Sequence, residues 1–431
     1  MASRNRVFLL AIVVAALIVL AGLTYVMWQS LHPPGGGGNG VNPPVQLAPV
    51  QTGLAWPVAL AFAPDGRVFF AERLSGDIRI LKNGAVLPTP FYSLANTDGS
   101  GERGLLGLAL DPAFPSSPWV YAYQTYDDVT NATVYNRIVR IQASGDLGLS
   151  HSVILQLPPL SGATNHNGGV IAFGPDGKLY AVVGENADPA LSQDPMTPMG
   201  KVLRMNSDGT APPDNPFFGS LSWDNLVFTY GHRNMFGIAF HPVTHRVYVT
   251  ENGPNCNDEI NLLTAAANYG WGPNATCSTP PQPPANTNRD GANPVMPIWW
   301  WGPTICPTNA AFFTGPLLPQ SQNHLLVGAC NDNRLRDLTL SADGASVVNE
   351  STVLTAPAPI LDVEMGLDRS LWITTPSAIY RLVAAPTIMG GFAMAPLVVV
   401  TVMAAIAGPA VRETPSNVRP ASRVRNSSRK P

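Results

Sequence analysis

Short apolar runs broken by tight turns recur along the chain. From residue 58 to 81 the sequence reads V-A-L-A-F-A-P-D-G-R-V-F-F-A-E-R and then G-D-I-R-I-L. The same order of apolar run, turn, apolar run and third run returns at 105–141, 169–205 and 232–271, more faintly at 324–344, and again up to Leu382. The runs are strand-length, bounded by Pro, Asp, Asn and Gly, and no amphipathic helix of useful length separates them. Units of this size suit a radial arrangement in which each sheet buries its faces against its neighbours. Six units predict an all-β, six-bladed β-propeller over residues 51–385. A β-sandwich is the second choice, because it has no need of a recurring Pro-Asp-Gly turn.

The two ends break the pattern. Residues 7–28 are apolar and uncharged, follow Arg4 and Arg6, and are long enough to cross a bilayer as a helix. Residues 29–50, with P-P-G-G-G-G-N-G-V-N-P-P at their centre, read as a flexible linker. Residues 387–408 form a second uncharged apolar stretch, and 409–431 carry five Arg and one Lys against one acid, Glu413. Basic flanks stay on the cytoplasmic side. The ends therefore predict an N-terminal and a C-terminal transmembrane helix, residues 1–6 and 409–431 in the cytoplasm, and the propeller held outside the membrane. A core strand followed by a solvated basic arm is the other reading of the C-terminal stretch.

Composition narrows the partners. Net charge is −3 and only 12% of residues are charged, which argues against nucleic acid. No two of the four cysteines form a C-x-x-C, so outside the cytosol two disulfides are their simplest use, sequence-local pairing being favoured among three connectivities.

Candidate chemistry collects at the ends of the runs. His166 in N-H-N-G-G sits at a strand entrance between Asn165 and Asn167, placed for a general base or for a turn histidine bonded to backbone. Arg233-Asn234 could polarise an oxyanion, or Arg233 could pair with Asp258 or Glu259. Gly253-Pro254 forms a turn whose carbonyls suit calcium, or an ordinary turn. Glu102 and Glu185 lie beside glycines near strand ends and face either the channel mouth or solvent. Trp299, Trp300 and Trp301 form a wall for a sugar or planar cofactor, or pack in the core.

Taken in order, W-P-V-A-L-A-F-A-P-D-G, G-L-L-G-L-A-L-D-P-A-F, H-N-G-G-V-I-A-F-G-P-D-G-K-L-Y, G-K-V-L-R-M-N-S-D-G-T-A-P-P-D-N-P-F, G-H-R-N and E-N-G-P-N-C-N-D-E-I-N resemble the glucose/sorbosone dehydrogenase family of soluble glucose and aldose sugar dehydrogenases. The resemblance implies a six-bladed propeller that binds pyrroloquinoline quinone (PQQ) and calcium and oxidises the anomeric hydroxyl of an aldose to a lactone. It makes His166 the base and Arg233 the group that stabilises charge on the quinone oxygen. Asn234 and Thr304 would touch the cofactor, and Gly253 and Pro254 would hold calcium. Glu102, Asn165, Glu185 and Trp301 would line the sugar pocket. An electron acceptor in or near the membrane is implied but not named.

The same resemblance exposes departures. The family holds the PQQ carboxylates with a Lys in the fifth unit and an Arg-x-Arg in the sixth. Asn331, Pro359 and Leu361 stand at those positions, with Arg334 and Arg336 near enough to be considered as substitutes. A non-catalytic propeller that has lost its cofactor clamp is therefore the alternative to the enzyme.

Overall fold

A computed structural model describes residues 42–278 and 284–386. Both proposed membrane spans, 7–28 and 387–408, and the basic tail lie outside the described residues. Among the described residues, no helix is long and apolar enough to cross a membrane.

The six repeats become six antiparallel sheets. The first strands, which ring the central axis, are Pro57–Phe62, Leu105–Leu110, Gly168–Phe173, Met235–Phe240, Pro307–Phe312 and Asp362–Met365. The second strand of each blade lies between neighbouring blades on both faces. Val68–Glu72, Leu179–Val183, Val247–Glu251 and Leu325–Ala329 are accordingly buried throughout. That double burial explains why these runs are continuously apolar instead of alternating. The Pro-Asp-Gly turns work as the pattern predicts. Gly66 and Gly177 take positive φ, and the preceding aspartates accept hydrogen bonds from the N–H of Arg67 and Lys178. In the sixth blade Arg369 occupies the left-handed position, and Asp368 accepts from Ser370 in the same way.

The ring is closed by the strand Val45–Thr52. It pairs antiparallel with Ala378–Ala384 and becomes the outermost strand of the sixth blade. The propeller thus begins inside the stretch read as linker. The segment V-Q-L-A-P-V-Q-T lacks a repeat of its own, because its partner lies at the far end of the chain. Between the fifth and sixth blades, Asn309 donates to Asp362 at 2.7 Å and to Glu364 at 2.9 Å, and Asp362 also accepts from Leu60 N–H. Burial pushes Asp362 up to about 6, and burial with the neighbouring Asp362 charge pushes Glu364 well above the usual range.

Candidate active site

The loops that lead into the first strands of the third, fourth and fifth blades meet around one polar cavity of ≈ 280 Å³. His166 enters from the loop before Gly168–Phe173. Its φ is +58°, and the glycines that follow leave no room for side chains: a Cβ on Gly168 would lie 2.5 Å from Val182 O, and one on Gly169 would lie 2.5 Å from the Leu106 side chain. The imidazole is buried, and its Nδ1 lies 2.7 Å from Glu185 Oε2. A carboxylate can only accept, so Nδ1 carries the proton and Nε2 keeps its lone pair.

Glu185 follows the second strand of its blade and is fully buried beneath His166. It does not line the cavity, contrary to the sequence expectation of a sugar contact. The turn after Val183 directs its carboxylate inward, where Oε2 also accepts from Ala187 N–H. Its role is to hold and orient His166.

Glu102 supplies the cavity's negative side. Its Oε2 accepts from His166 N–H at 2.8 Å and from Asn234 Nδ2 at 3.0 Å. Arg233 lies opposite, on the short connection into Met235–Phe240. Its Nη1 donates to Asn252 O, its guanidinium lies 5.3 Å from the Trp271 ring centre, and its buried Nε has no partner among the described residues. It forms no ion pair with Asp258 or Glu259. Burial holds it below the usual arginine range, against the charges of Glu185, Glu102, Glu251 and Asp258. The neighbouring His232 is structural: Nδ1 meets Glu251, Nε2 meets Thr229, and the ring stacks on Tyr269.

Gly253 and Pro254 complete the rim. A Cβ on Gly253 would fall 1.9 Å from Cys256 O, so the turn requires glycine. Asp258 fastens this turn to the Thr304 loop by accepting from Gly253 N–H at 2.8 Å, Ile305 N–H at 2.6 Å and Cys306 N–H at 2.8 Å. Burial nevertheless pushes Asp258 up. The disulfides pair Cys256 with Cys277 and Cys306 with Cys330, the sequence-local connectivity. The second pins the Thr304 loop beside Asn331, whose Nδ2 donates to Thr304 O.

Eight of the ten residues singled out from the sequence therefore line one cavity: Glu102, Asn165, His166, Arg233, Asn234, Gly253, Pro254 and Thr304. Trp301 does not. It sits in the outermost strand of the fourth blade, Trp299–Trp301, buried against the fifth. Its Nε1 donates to Glu350, and Arg336 lies 5.8 Å from its ring centre. Arg336 is committed to Asp332 and Glu350, and Arg334 is half exposed beside Asp332. Neither lines the cavity.

Sequence reasoning missed an adjoining lobe of ≈ 350 Å³, which shares Glu102, Phe236 and Cys306 with the polar cavity. One residue at the start of the inner strand of each blade faces it: Val58, Leu106, Val170, Phe236, Thr308 and, just before the sixth, Leu361. Trp56 and Arg73 also line it. The available signal was the apolar residue near the start of the inner run in every blade but the fifth, where Thr308 stands.

The quinone half of PQQ fits this arrangement. Arg233, Asn234, His166 and the Gly253–Pro254 turn line one cavity, and a guanidinium, an amide, an imidazole and main-chain oxygens are the groups a quinone oxygen and an associated cation require. The residues that would hold it are Arg233, Asn234 and Thr304, with the carbonyls of Gly253 and Pro254 on calcium. Among the described residues, no three His, Cys, Asp or Glu side chains converge as a metal site. Asn331 lines the polar cavity and Leu361 the lobe, without charge.

Comparison with known proteins gives a consistent picture. The sequence model of the family described as Glucose / Sorbosone dehydrogenase matches residues 54–383. Aldose sugar dehydrogenase YliI of Escherichia coli is 30% identical over 342 residues, covering 77% of this chain and 90% of the relative. The PQQ-bound aldose sugar dehydrogenase of Streptomyces coelicolor superposes with a TM-score of 0.65 at 30% identity, covering 79% of this chain and 99% of its own. The soluble E. coli aldose sugar dehydrogenase in its apo form superposes with a TM-score of 0.72 at 28% identity, covering 79% of this chain and all of the other.

Proposed function

Belonging to the glucose/sorbosone dehydrogenase family, the chain is a sugar dehydrogenase-like oxidoreductase, and we propose that it oxidises the anomeric hydroxyl of an aldose to a lactone with His166 as base. The observation that carries this reading is the His166–Glu185 pair, with its free Nε2 on the same cavity as Arg233. His166 Nε2 accepts the hydroxyl proton, and the buried Glu185 carboxylate stabilises the imidazolium that results. Glu102 fixes the His166 backbone and the Asn234 amide, so both are set before the sugar arrives. Arg233 is held by a carbonyl on one side and Trp271 on its face, and presents positive charge where an oxygen becomes anionic. The chemistry that PQQ supplies when bound is that of a two-electron acceptor for the hydrogen leaving the anomeric carbon.

We further propose that the ring works outside the membrane, tethered by its ends and passing electrons to an acceptor there. Two disulfides suit an oxidising compartment. The missing cations at 331, 359 and 361 favour a second reading, a propeller that binds sugar without catalysis.

Reconstituting the purified full chain with PQQ and calcium, then following aldose-dependent dye reduction, tests the proposal. Turnover is expected in the wild type. His166→Ala should lose roughly 10²–10⁴-fold in kcat while still binding PQQ. Failure of the wild type to bind PQQ at high micromolar concentration would move the assignment to the second reading.

A further inference from the structure

The polar cavity and the apolar lobe each carry an arginine built in the same way. Arg233 lies over Trp271 at 5.3 Å and Arg73 over Trp56 at 4.7 Å. Arg233 is anchored through Nη1 to Asn252 O. Arg73 is anchored through Nη1 to Gly101 O at 2.6 Å and Arg103 O at 2.9 Å. In both, Nε is buried without a partner and Nη2 makes no hydrogen bond among the described residues. With Nε enclosed and Nη1 spent on carbonyls, Nη2 is the nitrogen of each guanidinium left to donate a charge-assisted hydrogen bond to an anion. Arg103 also leaves Nε enclosed without a partner, but both of its terminal nitrogens are spent, on Asp98, Ser161 O and Ala163 O. Among the described residues Arg73 forms no ion pair, although Glu102 stands across the shared wall.

A partly buried guanidinium without a carboxylate partner costs desolvation that an anion at Nη2 would offset. The rest of the lobe is apolar, so the anion must be carried on a flat or apolar body. We propose that Arg73 is a second anion-recognition residue, binding one carboxylate of an aromatic ligand whose reactive end lies against His166 and Arg233. It would thereby do, from the first blade, part of what Asn331, Pro359 and Leu361 cannot do from the fifth and sixth. This rests on the proposed redox reading for the ligand's identity, but not for the arginine's role in binding.

The test uses the purified full chain with calcium and two probes, PQQ and its trimethyl ester, which keeps the ring and removes the charges. Binding is read by quenching of tryptophan fluorescence and by calorimetry. The wild type should prefer the acid to the ester. Arg73→Gln should lose roughly 10- to 150-fold in affinity for PQQ and stay within about threefold for the ester, with Arg73→Lys between the two. Asn331→Lys should tighten PQQ binding in the wild type and partly rescue Arg73→Gln. Equal affinity of Arg73→Gln and wild type for PQQ overturns the proposal. So does a parallel loss for acid and ester, which would mark Arg73 as structural, and so does a wild type that binds neither probe. PQQ binding with the expected Arg73 dependence but no aldose-dependent dye reduction would leave the inference standing and remove the dehydrogenase.

Discussion

Replacing Glu185 by Gln keeps the shape beneath His166 and removes one charge. The carboxylate is about as buried as a group can be, with 1% of its side chain exposed, and it stands 2.7 Å from Nδ1. In the resting enzyme the loss is that of a charge-assisted hydrogen bond exchanged for a neutral one. In the transition state the loss is larger, because His166 is then becoming a cation beside a group that no longer carries charge. A hydrogen bond to a charged group contributes about 1.5–3 kcal/mol. An ion pair at about 4 Å in an effective dielectric of about 20 is worth about 4 kcal/mol. Taking about 2–3 kcal/mol as the differential term gives roughly a 30- to 150-fold fall in kcat. KM for the sugar should move less than about threefold, since Glu185 does not line the cavity. PQQ affinity should hold for the same reason. Steady-state dye reduction across sugar concentrations, with quinone binding measured separately, separates the two effects. A variant that keeps kcat within threefold refutes the assignment of Glu185 to His166 in catalysis. A variant that loses kcat, KM and melting temperature together refutes it as well, because that is the signature of a damaged loop.

Three further outcomes follow from the geometry. Replacing Cys306 and Cys330 together by Ser opens a loop of 24 residues, which should cost about 3.5 kcal/mol by loop entropy and loosen Thr304 and Asn331. Denaturant melts should show that loss, and PQQ affinity should fall with it. A variant as stable as wild type would contradict the tie. The pair Asp362 and Glu364 has a definite sign. Both are pushed up in the folded protein, so their contribution is fully present below the unfolded carboxyl range and is lost as pH rises, through about 6 for Asp362 and through the raised range of Glu364 for its partner. Glu364→Gln should therefore raise stability at pH 7.5 by about 1–3 kcal/mol and change it little at pH 4. An equal rise at both values would show that repulsion is not the cause. Gly253→Ala should lower calcium-dependent PQQ binding at least tenfold, because its Cβ has no space beside Cys256 O, and equilibrium dialysis reads this directly.

The fold was legible because a propeller repeats its instructions. Most blades carry an apolar run, a tight turn and a second, largely buried run, and each can be read without knowing the others. The site was legible where glycine or charge marked a strand end, as at His166, Arg233 and Gly253. It was less legible where function depends on direction. Glu185 and Glu102 look alike in sequence, yet one turns beneath the imidazole and the other faces the cavity, and only the turn after Val183 decides which. Trp301 misled for a related reason: indoles suit a sugar wall and a blade interface equally well. Arg73 was hidden because the carbonyls that anchor it and the lobe it lines come from different blades.

The seam at Val45–Thr52 and Ala378–Ala384 has a consequence for how the molecule comes into being. The strand that precedes the first blade waits for the last strand of the sixth, so the ring stays open, with its terminal blades uncovered, until both have been made. A clasp of this kind couples the two blades: removing the eight residues Val45–Thr52 would strip the outer strand from the sixth blade. It also sets Val45 beside Ala384, so the points where the ring begins and ends lie on the same edge of the wheel.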